Sequence, residues 1–274
     1  MDITPNDEKR IGKQPAGSVD GLAHVVLSPA SLRESEAIIQ RMIETLYVDL
    51  SGRAEPISDG VINVELWCSS PLRVMWILKE PWDGEDSSGG GWSICADVLN
   101  VKPVSELGHT TWHPIIYIAF GLFNNKTYAG MPCVRDMNSP EGVLRRLAFI
   151  NVKKLPGVRW GAYTPGILDW YIRGRKIILE QIRAYCPHVV FACSPNFPAI
   201  LNDLDCGWRS RLCSVGSAAY VWHENVLFVH VYHPGQTQIT RENYVNDALA
   251  AVWQAMGRQQ RSGKTRFGHE SDLA

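Results

Sequence analysis

Four short apolar runs recur along the chain. Each ends abruptly in polar or turn-forming residues, and helical patterns separate them. The first is Arg73-Val-Met-Trp-Ile-Leu78, closed by Lys79-Glu80-Pro81-Trp82. Its unbroken apolar character suits a strand covered on both faces, and Pro81 cannot extend a hydrogen-bonded ladder. The second run, 147–152, ends at Asn151 and is followed by Lys153 and Lys154. The third, 188–193, leads into Ser194-Pro195-Asn196, and the fourth, 226–232, leads into His233-Pro234-Gly235-Gln236. Around them, Ser31-Leu-Arg-Glu34 has the pattern of a capping box. The helix it opens carries Ile38, Ile39, Met42, Ile43, Leu46, Tyr47 and Leu50 in one apolar stripe. Residues 112–123 predict a buried helix. Residues 169–185 predict a basic amphipathic one with Ile172, Ile177, Ile178 and Ile182 turned inward. Tyr244, Ala248, Val252 and Trp253 share a face of a last helix that Gly257 would stop. Residues 61–68 alternate weakly, as a short edge strand would.

Strands alternating with helices, without an internal repeat, predict one α/β domain. The expected architecture is a three-layer α/β/α sandwich around a central, mainly parallel four-stranded sheet. It spans residues 31–257, between a flexible polar arm at 1–30 and a polar tail at 258–274.

Composition narrows the function. At 45% hydrophobic and 20% charged residues the chain reads as an ordinary globular protein. It holds no apolar run of the roughly 20 residues a membrane span needs. The first ten residues lack the apolar centre of a signal peptide, so a cytoplasmic, membrane-free protein is expected. Seven cysteines, an odd number without any Cys-x-x-Cys pair, argue for reduced thiols and against a zinc ribbon, a disulfide framework or an iron–sulfur cluster. His109 and His113 are four apart, but no Glu lies between them and no third ligand is evident. Helix-end histidines are the simpler reading, and no metal or cofactor is expected. Net charge is only −1, yet it is unevenly spread. Residues 145–183 hold nine basic and two acidic side chains, a local +7 against −8 elsewhere. Such a segment is either a phosphate-attracting strip or a solvated helix face with two turns.

The strand ends carry the candidate chemistry. In open α/β sheets ligands bind beyond the carboxyl ends of the strands. Glu80, Asn151 and His233 all stand there. The Gly-rich loop 83–91 leaves the first strand end and brings back Trp92-Ser93. In this order the motifs Glu80-Pro81-Trp82, Asn151 and His233-Pro234 resemble the uracil-DNA glycosylase superfamily. That family has a Gly-x-Asp/Asn-Pro-type turn after its first core strand, an aromatic, a strand ending in Asn, and a late His-Pro turn. The resemblance covers roughly residues 70 to 255 and rests on short motifs.

The resemblance implies a monofunctional DNA glycosylase that flips a pyrimidine out of DNA, cleaves its N-glycosidic bond and leaves an abasic site. Such cleavage develops positive charge on the sugar and negative charge on the departing base. A carboxylate, Glu80, would stabilise the sugar cation and orient water. A donor, His233, would stabilise the departing base. Asn151 would pair with the base edge, and Trp92 and Trp82 are the aromatics placed to contact the base, although each also suits a core position. Lys79, Ser93, Lys153, Lys154 and Gln236 are the candidate DNA-phosphate contacts, with a solvated turn as the alternative for the lysine pair. Lys79 also keeps a lyase step open.

Departures from the family pattern fall in the base pocket. Leu78 stands where Gly is usual, Glu80 replaces Asp or Asn, Trp82 replaces a Tyr that blocks C5 substituents, and Gly235-Gln236 replaces Ser-Pro. The expected substrate is therefore a C5-enlarged cytosine, hydroxymethylated or glucosylated, in phage DNA, which would make the protein an antiviral defence enzyme acting as a monomer on DNA. Two alternatives stay open: uracil removal in base-excision repair, and a catalytically silent reader of modified bases. A nucleotide-processing or α/β-hydrolase-like enzyme has no Gly-x-Ser-x-Gly, P-loop or Gly-x-Gly-x-x-Gly motif to support it.

Overall fold

The first apolar run forms an interior strand of a sheet. The computed structural model of the chain describes residues 27–48, 54–83, 89–157, 166–193 and 196–257. Within it β2, Val74–Leu78, is buried at all five positions. It has a parallel neighbour on each side, β3 (Leu147–Asn151) and β4 (Val189–Cys193). β7 (Val226–Val231) lies parallel beyond β4. These are the four expected strands, and all four are parallel.

The sheet is wider than expected. β1 (Gly60–Val61) adds antiparallel to β3, and β6 (Ala218–His223) and β5 (Cys213–Val215) continue antiparallel beyond β7. The seven-stranded mixed order is β1-β3-β2-β4-β7-β6-β5. Residues 61–68 therefore depart from the expected edge strand. Only Val61 pairs, Ile62 and Asn63 turn the chain, and Val64–Ser69 forms helix α2. The cause is Asn63, whose side chain accepts from the Leu66 amide at 3.0 Å and so starts a helix where the weak alternation implied a strand.

Alternation divides the sheet's two faces. Val74, Trp76 and Leu78 pack with Leu147, Phe149, Val189 and Phe191 beneath helices α3 (His109–Asn124) and α7 (Arg241–Ala255). Met75 and Ile77 pack with Ala148, Ile150, Val190 and Ala192 against α1 (Pro29–Tyr47), α5 (Ile167–Tyr185) and α6 (Phe197–Leu204). Helices thus cover both faces, with the aromatic pair Trp76 and Phe191 stacked at 4.6 Å in one core. A short α4, Pro140–Leu144, precedes β3.

Helix termini differ in detail from the sequence pattern. Ser28 caps α1 by accepting from the Ser31 amide, so the helix begins before the capping-box residues. Ile39, Ile43 and Tyr47 are buried, whereas Ile38 is exposed. In α5, Ile177, Ile178 and Ile182 face inward as expected, but Ile172 is exposed because Tyr171 takes the buried position. The arm up to residue 26, Leu50, loop residues 84–88, Arg159, Ser194-Pro195 and the tail from 258 lie outside the described residues.

Candidate active site at the carboxyl edge of the sheet

The pairing register places the strand ends at one level. Leu78 pairs with Asn151, and the β2–β4 and β4–β7 registers bring Cys193 and Val231 to the same rung. Glu80 and His233 each lie two residues beyond that rung, on strands two spacings apart. With about 4.8 Å between neighbouring strands, their backbones are separated by about 10 Å. That gap is wide enough for a nucleoside.

Parallel pairing continues past β2, since the Lys153 amide donates to the Lys79 carbonyl at 2.9 Å and the Gly157 amide to the Pro81 carbonyl at 2.7 Å. This lays Glu80 flat against the segment after β3. A Cβ on Gly157 would stand 2.5 Å from the Glu80 Cδ, so only glycine allows the approach. Lys153 Nζ donates to Glu80 Oε2 and to the Pro156 carbonyl, both at 3.0 Å. The Glu80 side chain is only 9% exposed. Lys153 also lies 5.7 Å over the ring of Trp170, which stacks on Tyr47. The lysine expected at a phosphate is instead the counter-ion of the candidate catalytic carboxylate.

Lys154 departs further from expectation. It is 1% exposed and donates at 2.8 Å to both oxygens of Asp59, whose side chain is fully buried, and at 2.9 Å to Gln181 Oε1. An ammonium so enclosed cannot reach DNA. The network has a different use: Asp59 Oδ2 accepts from the Asn151 amide at 2.6 Å, and Asp59 Oδ1 accepts from Gln181 Nε2 at 2.9 Å. It anchors the end of β3, where buried Asn151 sits. Asp59 had no signal in the sequence beyond a polar loop, because its partners come from β3 and α5, about 90 and 120 residues away.

His233 is set by its own turn. The Gly235 amide donates to His233 Nδ1 at 3.1 Å, so the neutral ring carries its proton on Nε2. Burial, reinforced by the nearby charge of Lys79, pushes its pKa down to about 4. The charge of Lys79, two residues before Pro81 at the end of β2, also acts on Cys193 at the end of β4. Gln236 is spent within the loop. Its Nε2 donates to the Ile239 carbonyl, and its Oε1 accepts from the Gln238 and Ile239 amides. It braces the His233 turn, which leaves little of its amide for a phosphate.

The aromatics separate. Trp82 is 60% exposed on the rim beside Glu80, and is therefore no core residue. Trp92 packs partly buried against the core, with Nε1 donating to Asp83 Oδ2 at 2.7 Å. The same carboxylate oxygen accepts from the Gly90 amide, closing the described ends of the Gly-rich loop. Ser93 caps the π-helical turn Ile94–Leu99, its hydroxyl accepting from the Ala96 amide. Asn196, at the start of α6 beyond β4, was not singled out in sequence. It is 1% exposed, and neither polar atom of its amide has a partner among the described residues. The Pro-Asn pair after a strand was the available signal. The basic segment does not form one strip, since Arg145 and Arg146 precede β3 at the opposite edge of the sheet and Arg183 pairs with Glu180.

Among the described residues, no helix is long and apolar enough to cross a membrane. None of them forms a cluster of three or more His, Cys, Asp or Glu that could hold a metal ion; His109 and His113 lie edge to face at 6.1 Å. No protein-family model and no curated protein matches the chain. What the site offers chemically is a fixed carboxylate, a buried amide-bearing residue and a neutral imidazole donor along one sheet edge.

Proposed function

We propose that the protein is a monofunctional DNA glycosylase of the uracil-DNA glycosylase type. It takes a modified or aberrant pyrimidine out of the helix and hydrolyses its N-glycosidic bond. One observation carries the reading: Glu80, held by Lys153, and His233, neutral with its proton on Nε2, stand at the same level two strands apart. Base cleavage needs a negative group near the sugar and a donor near the departing base. Glu80 stabilises the oxocarbenium-like sugar and orients water, and His233 Nε2–H donates to a carbonyl oxygen of the base. Asn151 reads the base edge from the end of β3, while Lys79 supplies positive potential for the departing anion or the backbone phosphates.

The preferred substrate is a cytosine enlarged at C5, as in hydroxymethylated or glucosylated phage DNA. The support is Trp82: the aromatic at the position that closes the C5 side in uracil-specific enzymes stands 60% exposed here. A defence role follows from that substrate.

The test is mass spectrometry of bases released from DNA containing uracil, thymine mismatches, 5-hydroxymethylcytosine, its glucosylated form, or only ordinary bases. Wild type is expected to release an enlarged cytosine, and Glu80→Gln to release none while still retaining DNA. Release of uracil alone would move the role to repair. Retention of DNA without release of any base would replace the enzyme by a reader of modified bases.

A further inference from the structure

The amino ends of the parallel strands hold a second site. A cavity of about 270 Å³ opens there, between the last turns of α5, the ends of β2, β4 and β7, and the β6–β7 turn. Arg73, on its lining, lies seven residues of extended chain before Glu80, about 23 Å away. Ile182, Leu204 and Phe228 form an apolar wall, and Arg73 lines the cavity beside them.

Arg73 is the anomaly. It is 4% exposed, yet the ion pairs among the described residues do not include it. Its Nε donates to the Cys186 carbonyl at 2.7 Å, which fixes the plane of the guanidinium. Its main chain is tied to His188, whose Nδ1 accepts from the Arg73 amide at 3.0 Å. No described residue accepts from either Nη group. A guanidinium stays protonated, so it cannot shed this charge, and a buried charge without a counter-ion is strongly unfavourable. Burial also pulls its pKa below the ordinary value, with only the thiols of Cys186 and Cys68 acting in the other direction. The open end of the fork is the geometry that accepts a planar carboxylate through two parallel hydrogen bonds.

We propose that this cavity binds a small organic monoanion, a carboxylate with a compact apolar body. Its charge pairs with the two Nη groups of Arg73, and its body packs on Ile182, Leu204 and Phe228. A second negative charge is disfavoured, because Glu224 also lines the cavity and Arg183, the other guanidinium there, is already paired with Glu180. The site is separate from the carboxyl-edge chemistry and does not depend on it.

Benzoate is the probe, with benzamide as its neutral isostere and inorganic phosphate as the more highly charged competitor. Calorimetric titration and thermal unfolding of the full chain are expected to show saturable benzoate binding that raises Tm. Benzamide and phosphate should bind at least tenfold more weakly. Arg73→Met should weaken benzoate at least tenfold. Leu204→Trp, which fills the cavity and leaves Arg73 in place, should do the same and decides the matter if Arg73→Met fails to fold. Equal binding of benzoate and benzamide, or undiminished binding in Leu204→Trp, would overturn the proposal.

Discussion

Replacing Asp59 by Asn tests the buried network that anchors the candidate site. The exchange keeps the shape of the side chain and removes its charge. Asp59 accepts from the Asn151 amide, from Lys154 Nζ through both oxygens and from Gln181 Nε2, with no access to water. An Asn must present an NH2 to one of these donors and leaves the Lys154 ammonium buried without a counter-charge. Breaking one side of a buried ion pair costs about 3–5 kcal/mol, a large share of the roughly 5–15 kcal/mol that holds a typical domain together. Urea unfolding of Asp59→Asn is therefore expected to show a loss of about 3–5 kcal/mol. Lys154→Met should cost a similar amount, since it leaves the carboxylate unpaired. The double variant should cost clearly less than the sum, with a coupling above about 1 kcal/mol, because neither charge is then left alone. A loss below about 1 kcal/mol in Asp59→Asn, or strict additivity, would refute the view that this pair secures the end of β3.

Two further outcomes follow from the site. NMR titration of His233 should give a pKa near 4, and Lys79→Met should raise it, since a repelling charge is removed while burial remains. Because the unfolded ring takes its proton near 6.5, His233 should draw down stability as pH falls from about 6.5 to about 4, by at most about 3.5 kcal/mol; a titration near 6.5 would refute this. Trp82→Ala should leave urea stability within about 0.5 kcal/mol, as expected of an exposed side chain. If Trp82 stacks on DNA, the same change should weaken binding by about 1–3 kcal/mol in a fluorescence anisotropy titration, and unchanged affinity would remove it from the site.

The chain's own pattern determined the parallel core. Runs such as Val74–Leu78 and Val189–Cys193 are apolar at every position, a composition tolerated only by strands covered on both faces, and each is read from a handful of neighbouring residues. The same local logic placed Glu80, Asn151 and His233 at or just beyond strand ends, where polar turns begin, although pairing with the segment after β3 runs on through the Pro81 carbonyl. β5 was not legible, since Cys213 and Ser214 are exposed and carry no apolar run, and the apolar run Ala218–Trp222 of β6 becomes a strand of this sheet because β7 offers an edge. α2 was hidden by a side-chain cap that competes with alternation. The roles of the lysines were decided by tertiary structure alone. Lys153 and Lys154 are adjacent and chemically identical, yet one meets Glu80 and the other Asp59, because successive side chains beyond a strand end point to opposite sides. Arg73 reads as the polar start of a strand until the fold closes over it and supplies no carboxylate among the described residues. Sequence carries information that depends on near neighbours and on period. Which charges become partners depends on elements about 70 to 120 residues apart, and only the folded sheet brings those together.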